Sequence, residues 1–271
     1  MKNWIRTITG VSLALTVSLA ARAQAPTGAP PNILSLEIDS IKPYQTAPYD
    51  KVAAEYPPVS EQSKQTTHYL AMEAMSGPPR AAYLAGYDSF EAVQKDTEAT
   101  RGNAALRAKF DALDAREAPY VNEVQNTVWH YRADLSNNVA GADLPHSHYW
   151  EIYLIRVRPG HAQAVQELAK LIRETDVKIG QNTPVAWFEA EAGTTDAYLV
   201  LLPMKSLKDR DTSLARDKDF AAALGDEGGR RLNQLVEESG ANVENNIWMV
   251  VPAASYVEKS WVDADPKYWG R

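Results

Sequence analysis

Short apolar runs bounded by turn residues alternate along this chain with stretches in which apolar positions return every three or four residues, the spacings of strands and of helices. The order is clearest in the carboxy-terminal half. Residues 148–157 are apolar and aromatic and stop at Arg158-Pro159-Gly160, which predicts a strand ending in a turn. Val165, Leu168, Ile172 and Ile179 follow at helical spacing, so a helix is predicted over 161–179 with Gly180 as its stop. Residues 185–191 and 197–202 read as two strands of a hairpin turning at Gly193-Thr194-Thr195. Ser206, with Asp209 three residues on, is a capping-box type start. A broken helical region then carries Phe220, Leu224, Leu232, Leu235 and Val236, and residues 244–251 form a last strand.

The amino-terminal half follows the same order. A strand is predicted over 33–41, a poorer helix around 50–64, strands over 68–75 and 80–87, helices after Asp88 and a strand over 124–132. Pro57-Pro58 should end or kink the first of these helices, because proline lacks the N–H that the helix needs. The halves also match residue by residue. Ala71-Met72-Glu73-Ala74-Met75-Ser76-Gly77 answers Trp187-Phe188-Glu189-Ala190-Glu191-Ala192-Gly193, Ala82-Tyr83-Leu84 answers Ala197-Tyr198-Leu199, and Asn126-Thr127-Val128-Trp129 answers Asn245-Asn246-Ile247-Trp248. The expected fold class is therefore α+β: two tandem ferredoxin-like βαββαβ repeats, over 26–135 and 147–257, joined by a linker at 136–146 and followed by a polar, aromatic tail at 258–271.

Ahead of the first repeat, Lys2, Arg6 and Arg22 flank an apolar run that ends in the small residues Ala23 and Ala25. Residues 1–25 thus read as a signal peptide, and the protein as exported, to a periplasm or beyond the cell. The run is shorter than the roughly 20 apolar residues of a lasting membrane span. The formal net charge of −7 becomes −10 once those three cations leave with the leader, a surface that repels phosphate backbones and argues against nucleic acid as a partner. There is no cysteine, so core burial must supply the stability that disulfides give many exported domains. No glycine-rich phosphate loop, nucleotide fingerprint, Gly-x-Ser-x-Gly elbow or His-Glu-x-x-His occurs, and hydrolase or kinase chemistry has no support.

The strand at 148–157 running into Arg158-Pro159-Gly160-His161 at a helix start, with the hairpin after it, resembles the dimeric α/β-barrel superfamily, including its antibiotic-biosynthesis monooxygenase-like and NIPSNAP-like members. The resemblance implies that the two repeats close one barrel within a single chain, an arrangement that such proteins usually build from two. A homo-oligomer is then possible but not required. The superfamily spans monooxygenases without cofactors, isomerases, haem-handling enzymes and binding proteins, so the fold names no reaction.

Side chains alternate between the faces of a strand. Leu34, Leu36 and Ile38, with Trp150, Ile152 and Leu154, form an apolar set expected beneath the helices. The opposite parity, Ser35, Glu37 and Asp39 with Glu151, Tyr153 and Ile155, is then expected to face the barrel. Glu73 and Glu189 fall at equivalent places and are the candidate catalytic bases, since a carboxylate walled by aromatic rings has its pKa raised toward neutrality. Tyr83, Trp129, Tyr153, Trp187, Tyr198, Asn246 and Trp248 are the candidate ligand-binding residues. His146 and His148 share one strand face, as a metal would want, but stand at the linker junction and lack an obvious third ligand. No cofactor is called for, with haem or a divalent metal left open.

Three functions fit this pattern. The first is an exported protein that binds a small apolar or aromatic molecule between the two sheets. The second is a cofactor-independent monooxygenase or isomerase using a barrel-facing Glu as general base. The third is a structural or interaction protein without a pocket.

Overall fold

The computed structural model describes residues 29–270, so the signal peptide expected over 1–25 lies outside the described residues. Eight strands close an antiparallel barrel: β1 (Ile33–Ile41), β2 (Tyr69–Ala74), β3 (Arg80–Tyr87), β4 (Val121–Tyr131), β5 (Tyr149–Arg156), β6 (Ala186–Ala192), β7 (Ala197–Met204) and β8 (Asn242–Val250), in the cyclic order β1-β3-β2-β8-β5-β7-β6-β4. Two long four-stranded sheets, β4-β1-β3-β2 and β8-β5-β7-β6, meet at two short seams. One seam pairs Met72 with Val250 and Ala74 with Trp248; the other pairs Trp129 with Ala190 and Tyr131 with Phe188, with a bulge between Val128 and Trp129. Closure leaves no unpaired sheet edge within the barrel.

Helices cover the outside. In the amino-terminal half these are α1 (Thr46–Ala53), α2 (Tyr56–Gln62), α3 (Phe90–Gly102) and α4 (Ala104–Glu117). In the other half they are α5 (Ala162–Lys178), α6 (Lys208–Ala215) and α7 (Asp217–Ser239), and two short helices follow, α8 (Lys259–Ala264) and α9 (Pro266–Trp269). The helix expected around 50–64 is two helices, and the prolines stand in the first turn of the second, where a missing N–H costs nothing. Ser89 caps α3 by accepting from the Ala92 N–H, and Asn103 caps α4 by accepting from Leu106 N–H. Asp209 accepts from the Lys205 and Ser206 N–H groups at the start of α6, half of the capping box expected there. Among the described residues no helix is long and apolar enough to cross a membrane.

The largest core lies inside the barrel and draws on both sheets: Leu34 and Leu36, Met72, Trp129, Ile152, Phe188, Leu199 and Trp248 all belong to it. This inverts the facing expected for the first strands. Leu34, Leu36 and Ile38, with Trp150, Ile152 and Leu154, fill the barrel, while Asp39, Glu151 and Tyr153 lie on the outer surface of the sheets, beneath the helices. The reason is partner supply. A closed barrel offers a carboxylate neither water nor a facing helix, and a buried carboxylate without partners costs several kcal/mol. Outside, helix and strand side chains answer the charges: Tyr49 from α1 donates to Asp39 at 2.6 Å, and Glu151 accepts from Tyr153 at 2.7 Å and Asn245 at 2.8 Å with Arg210 of α6 at 3.5 Å.

The tail is not a loose appendage. Trp269 is buried in the barrel core, its indole N–H donating to the Pro145 carbonyl at 2.8 Å, and Tyr268 donates to the Val250 carbonyl. The tail thereby covers the barrel end at which β5 starts and β8 finishes.

Candidate functional site

At the opposite end, where β1 and β5 finish and β3 and β8 begin, an open mouth leads into the barrel and narrows to an inner cavity of about 30 Å³. Trp129 and Trp248 wall it together with Leu36, Ile152 and Leu199; Arg80, Arg156 and Glu244 stand at its rim. The position of Arg80 follows from strand alternation, since it opens β3 two residues before Ala82, which faces inward. The small side chain of Ala82 leaves open space beside it.

The rim is a linked charge set. Arg80 Nη1 bridges Glu244 Oε1 at 2.5 Å, Asn246 Nδ2 donates to the same oxygen at 3.0 Å, and Arg156 approaches Glu244 Oε2 at 3.8 Å. Burial pushes the Glu244 carboxyl up, but the hydrogen bond and charge of Arg80, aided by Asn246 and Arg156, outweigh it and hold the pKa below the usual carboxylate range. The Arg80 guanidinium also lies over the Trp248 ring, 5.3 Å from its centre. Gly77, in the turn before β3, has φ of +81°, and a Cβ there would come within 2.8 Å of Asn246 Oδ1.

Three of the ligand-binding residues expected from the sequence line this cavity or its floor: Trp129, Asn246 and Trp248. The other four do not. Tyr83, Tyr153, Trp187 and Tyr198 belong to the parity that faces the helices, so their assignment to the barrel interior is corrected here. Tyr83 shares a 2.7 Å hydrogen bond with Tyr49, Tyr198 accepts from Gln166 at 2.9 Å, and Trp187 packs edge-on to Tyr198. Glu73 and Glu189 are likewise outside the barrel. Glu189 pairs with Arg132 and accepts from Tyr198, whereas Glu73 is hydrogen-bonded to Asp50. Partial burial and the neighbouring Asp50 carboxyl push Glu73 up to about 7. His146 and His148 turn to different carboxylates, Asp143 at 2.8 Å and Asp265 at 2.9 Å, and His148 stacks on Tyr268. No histidine lines the cavity, and among the described residues no group of three or more His, Cys, Asp or Glu side chains is arranged to hold a metal ion.

Sequence reasoning missed Arg80, Arg156 and Glu244, which the correct parity would have found: each lies an even number of residues from an inward Ala82, Leu154 or Asn246. It also missed a carboxylate group beneath α1 and α4. Glu37, Asp39 and Glu117 lie close together, and among the described residues no cation forms an ion pair with any of them. Burial, then the Asp39 and Glu117 charges, push Glu37 up to about 8 against a hydrogen bond from Asn126. Burial pushes Asp39 up to about 6 although Tyr49 donates to it, and burial followed by the Asp39 charge pushes Glu117 up to about 8.

No protein-family model matches the chain, and no curated protein matches its sequence. Solved structures do match in shape. An anthrone oxidase-like protein superposes with a TM-score of 0.55 at 11% identity, over 86% of this chain and 97% of the other. A monooxygenase-like protein from Fusobacterium nucleatum gives 0.50 at 11% identity over 80% and 91%. A chlorite dismutase variant from Candidatus Nitrospira defluvii gives 0.47 at 10% identity over 87% and 98%. At these identities the likeness is one of fold: an α+β chain with a closed antiparallel barrel, as in the dimeric α/β-barrel proteins.

Proposed function

We propose that this is an exported small-molecule-binding protein that holds an apolar or aromatic ligand between its two sheets, in the mouth of the barrel. One observation carries the reading: a cavity between the sheets, walled by two tryptophans and aliphatic side chains, with a few polar groups gathered at one rim, the usual composition of a ligand site. Export rests on the leader-like residues 1–25. The reading includes a fused pair of ferredoxin-like units, supported by the matching strand orders β4-β1-β3-β2 and β8-β5-β7-β6. The test is native mass spectrometry of the mature protein from its own host, beside Trp248→Ala. A small molecule retained by the parent and lost by a folded variant supports the reading; a clean mass in both overturns it.

A second reading is favoured by Glu73. With its pKa near 7 and an Asp50 partner to share a proton, this carboxyl could serve as the general base of a cofactor-independent oxygenase or isomerase. The anthrone oxidase-like match is compatible with it and, at 11% identity, adds fold alone. Oxygen uptake or isomerisation of an acidic phenol, abolished in Glu73→Gln, would move the assignment to this face; activity unchanged in that variant would remove Glu73 from it.

A further inference from the structure

Three hydrogen-bond donors at the cavity have no partner. Arg80 Nε and Nη2 and Trp248 Nε1 are all buried and unbonded, although Arg80 keeps only 13% of its side chain exposed and Trp248 3% of its surface. Three other buried indoles are satisfied: Trp129 donates to Thr127, Trp150 to the Ser147 carbonyl and Trp269 to that of Pro145. Leaving such a donor unbonded costs about 1–3 kcal/mol, more for a charged group, and native folds rarely keep several in one place without use.

The geometry of Arg80 narrows what would satisfy them. Glu244 occupies Nη1, which leaves the Nε–Nη2 edge, the side of a guanidinium that takes two oxygens of one planar group at once. The three charged side chains lining the cavity are Arg80, Arg156 and Glu244, one net positive charge in a chain whose formal net charge is −7. An anion is therefore favoured at this spot, against the net negative charge of the chain. Below the rim the walls are apolar and aromatic. Resting on the binding function proposed above, we infer that the ligand is an apolar or aromatic carboxylic acid, its carboxylate held side-on by Arg80 Nε and Nη2 and met by Trp248 Nε1, its body lying in the open mouth against the apolar walls.

Binding of 2-naphthoate, 2-naphthamide and 2-naphthylmethylamine to the mature chain, followed by calorimetry and by tryptophan quenching, tests this. Naphthoate should bind at least about 10-fold more tightly than the amide, the factor expected of one charge-assisted bidentate contact. The preference should disappear in Arg80→Gln, shrink in Arg80→Lys, which keeps the charge but not the fork, and weaken in Trp248→Phe, which keeps the ring but not the N–H. In the parent protein, added salt should weaken naphthoate and leave the amide unchanged, a readout that stands even where a variant fails to fold. Equal binding of acid and amide, or tighter binding of the amine, overturns this inference and leaves the binding function in place. No binding of any probe, with no ligand retained from the host, overturns both.

Discussion

The carboxylates beneath α1 and α4 make a prediction with an unusual sign. Glu37 has an ordinary pKa near 4.5 and is pushed to about 8 in the fold. Between those values the folded chain keeps a proton that the unfolded chain has lost, so its contribution is full at low pH and is lost as pH rises through the folded pKa. One such proton is worth about 1.4 kcal/mol per pH unit. Over the two units from about pH 5.5 to 7.5 Glu37 alone would cost up to about 3 kcal/mol; with Asp39 and Glu117 sharing the charge, about 1–3 kcal/mol is expected. Glu37→Gln keeps the shape and cannot titrate. Its stability relative to the parent should therefore rise by that amount across the window, read by urea unfolding at the two pH values. The difference is the proper readout because other groups also titrate. Burial lowers the His68 pKa, so that group adds stability as pH rises, and the ion-paired Glu244 and Asp143 change only at lower pH. A gap between variant and parent that stays flat from pH 5.5 to 7.5, or narrows, would refute the reasoning.

Other perturbations act on packing. Trp269→Ala empties the tail's anchor in the barrel core and should destabilise by about 3–5 kcal/mol in urea unfolding, whereas a solvated tail would lose almost nothing. Thr127→Val removes the acceptor of the buried Trp129 indole and should cost about 1–3 kcal/mol by the same assay; no loss would show the N–H finding water instead. Gly193→Ala sets a Cβ 2.3 Å from the Asn126 carbonyl oxygen at a φ of +82°, and thermal unfolding should show a loss of about 2 kcal/mol or more. Glu189→Gln, on the outer sheet face, should leave naphthoate binding within about twofold of the parent, because additivity holds for sites without shared partners.

Strand order was legible because it depends on local signals. The run over 33–41 became β1 with the same limits, and the hairpin at Gly193 was placed by its turn residues. Candidate site residues fared according to their strand. Trp129, Asn246 and Trp248 were assigned to the interior and line the cavity, while Tyr83, Tyr153, Trp187, Tyr198, Glu73 and Glu189 lie on the outer face of the sheets. Alternation tells which residues share a face and is silent on which face is inside; a one-residue inversion moves every side chain. The tail showed no helical periodicity long enough to announce itself, and its aromatic residues became core only through the barrel end they cover.

Period and turn chemistry are properties of neighbouring residues, and by themselves they determined the order of the strands and the α+β class. Tertiary structure alone decided the rest: closure of the barrel, the inward turn of the apolar parity, the meeting of Arg80 with Glu244 across 164 positions of chain, and the burial of Glu37, Asp39 and Glu117 together. Those outcomes depend on which surfaces find partners once water is excluded, and a carboxylate's partners belong to segments far away in sequence.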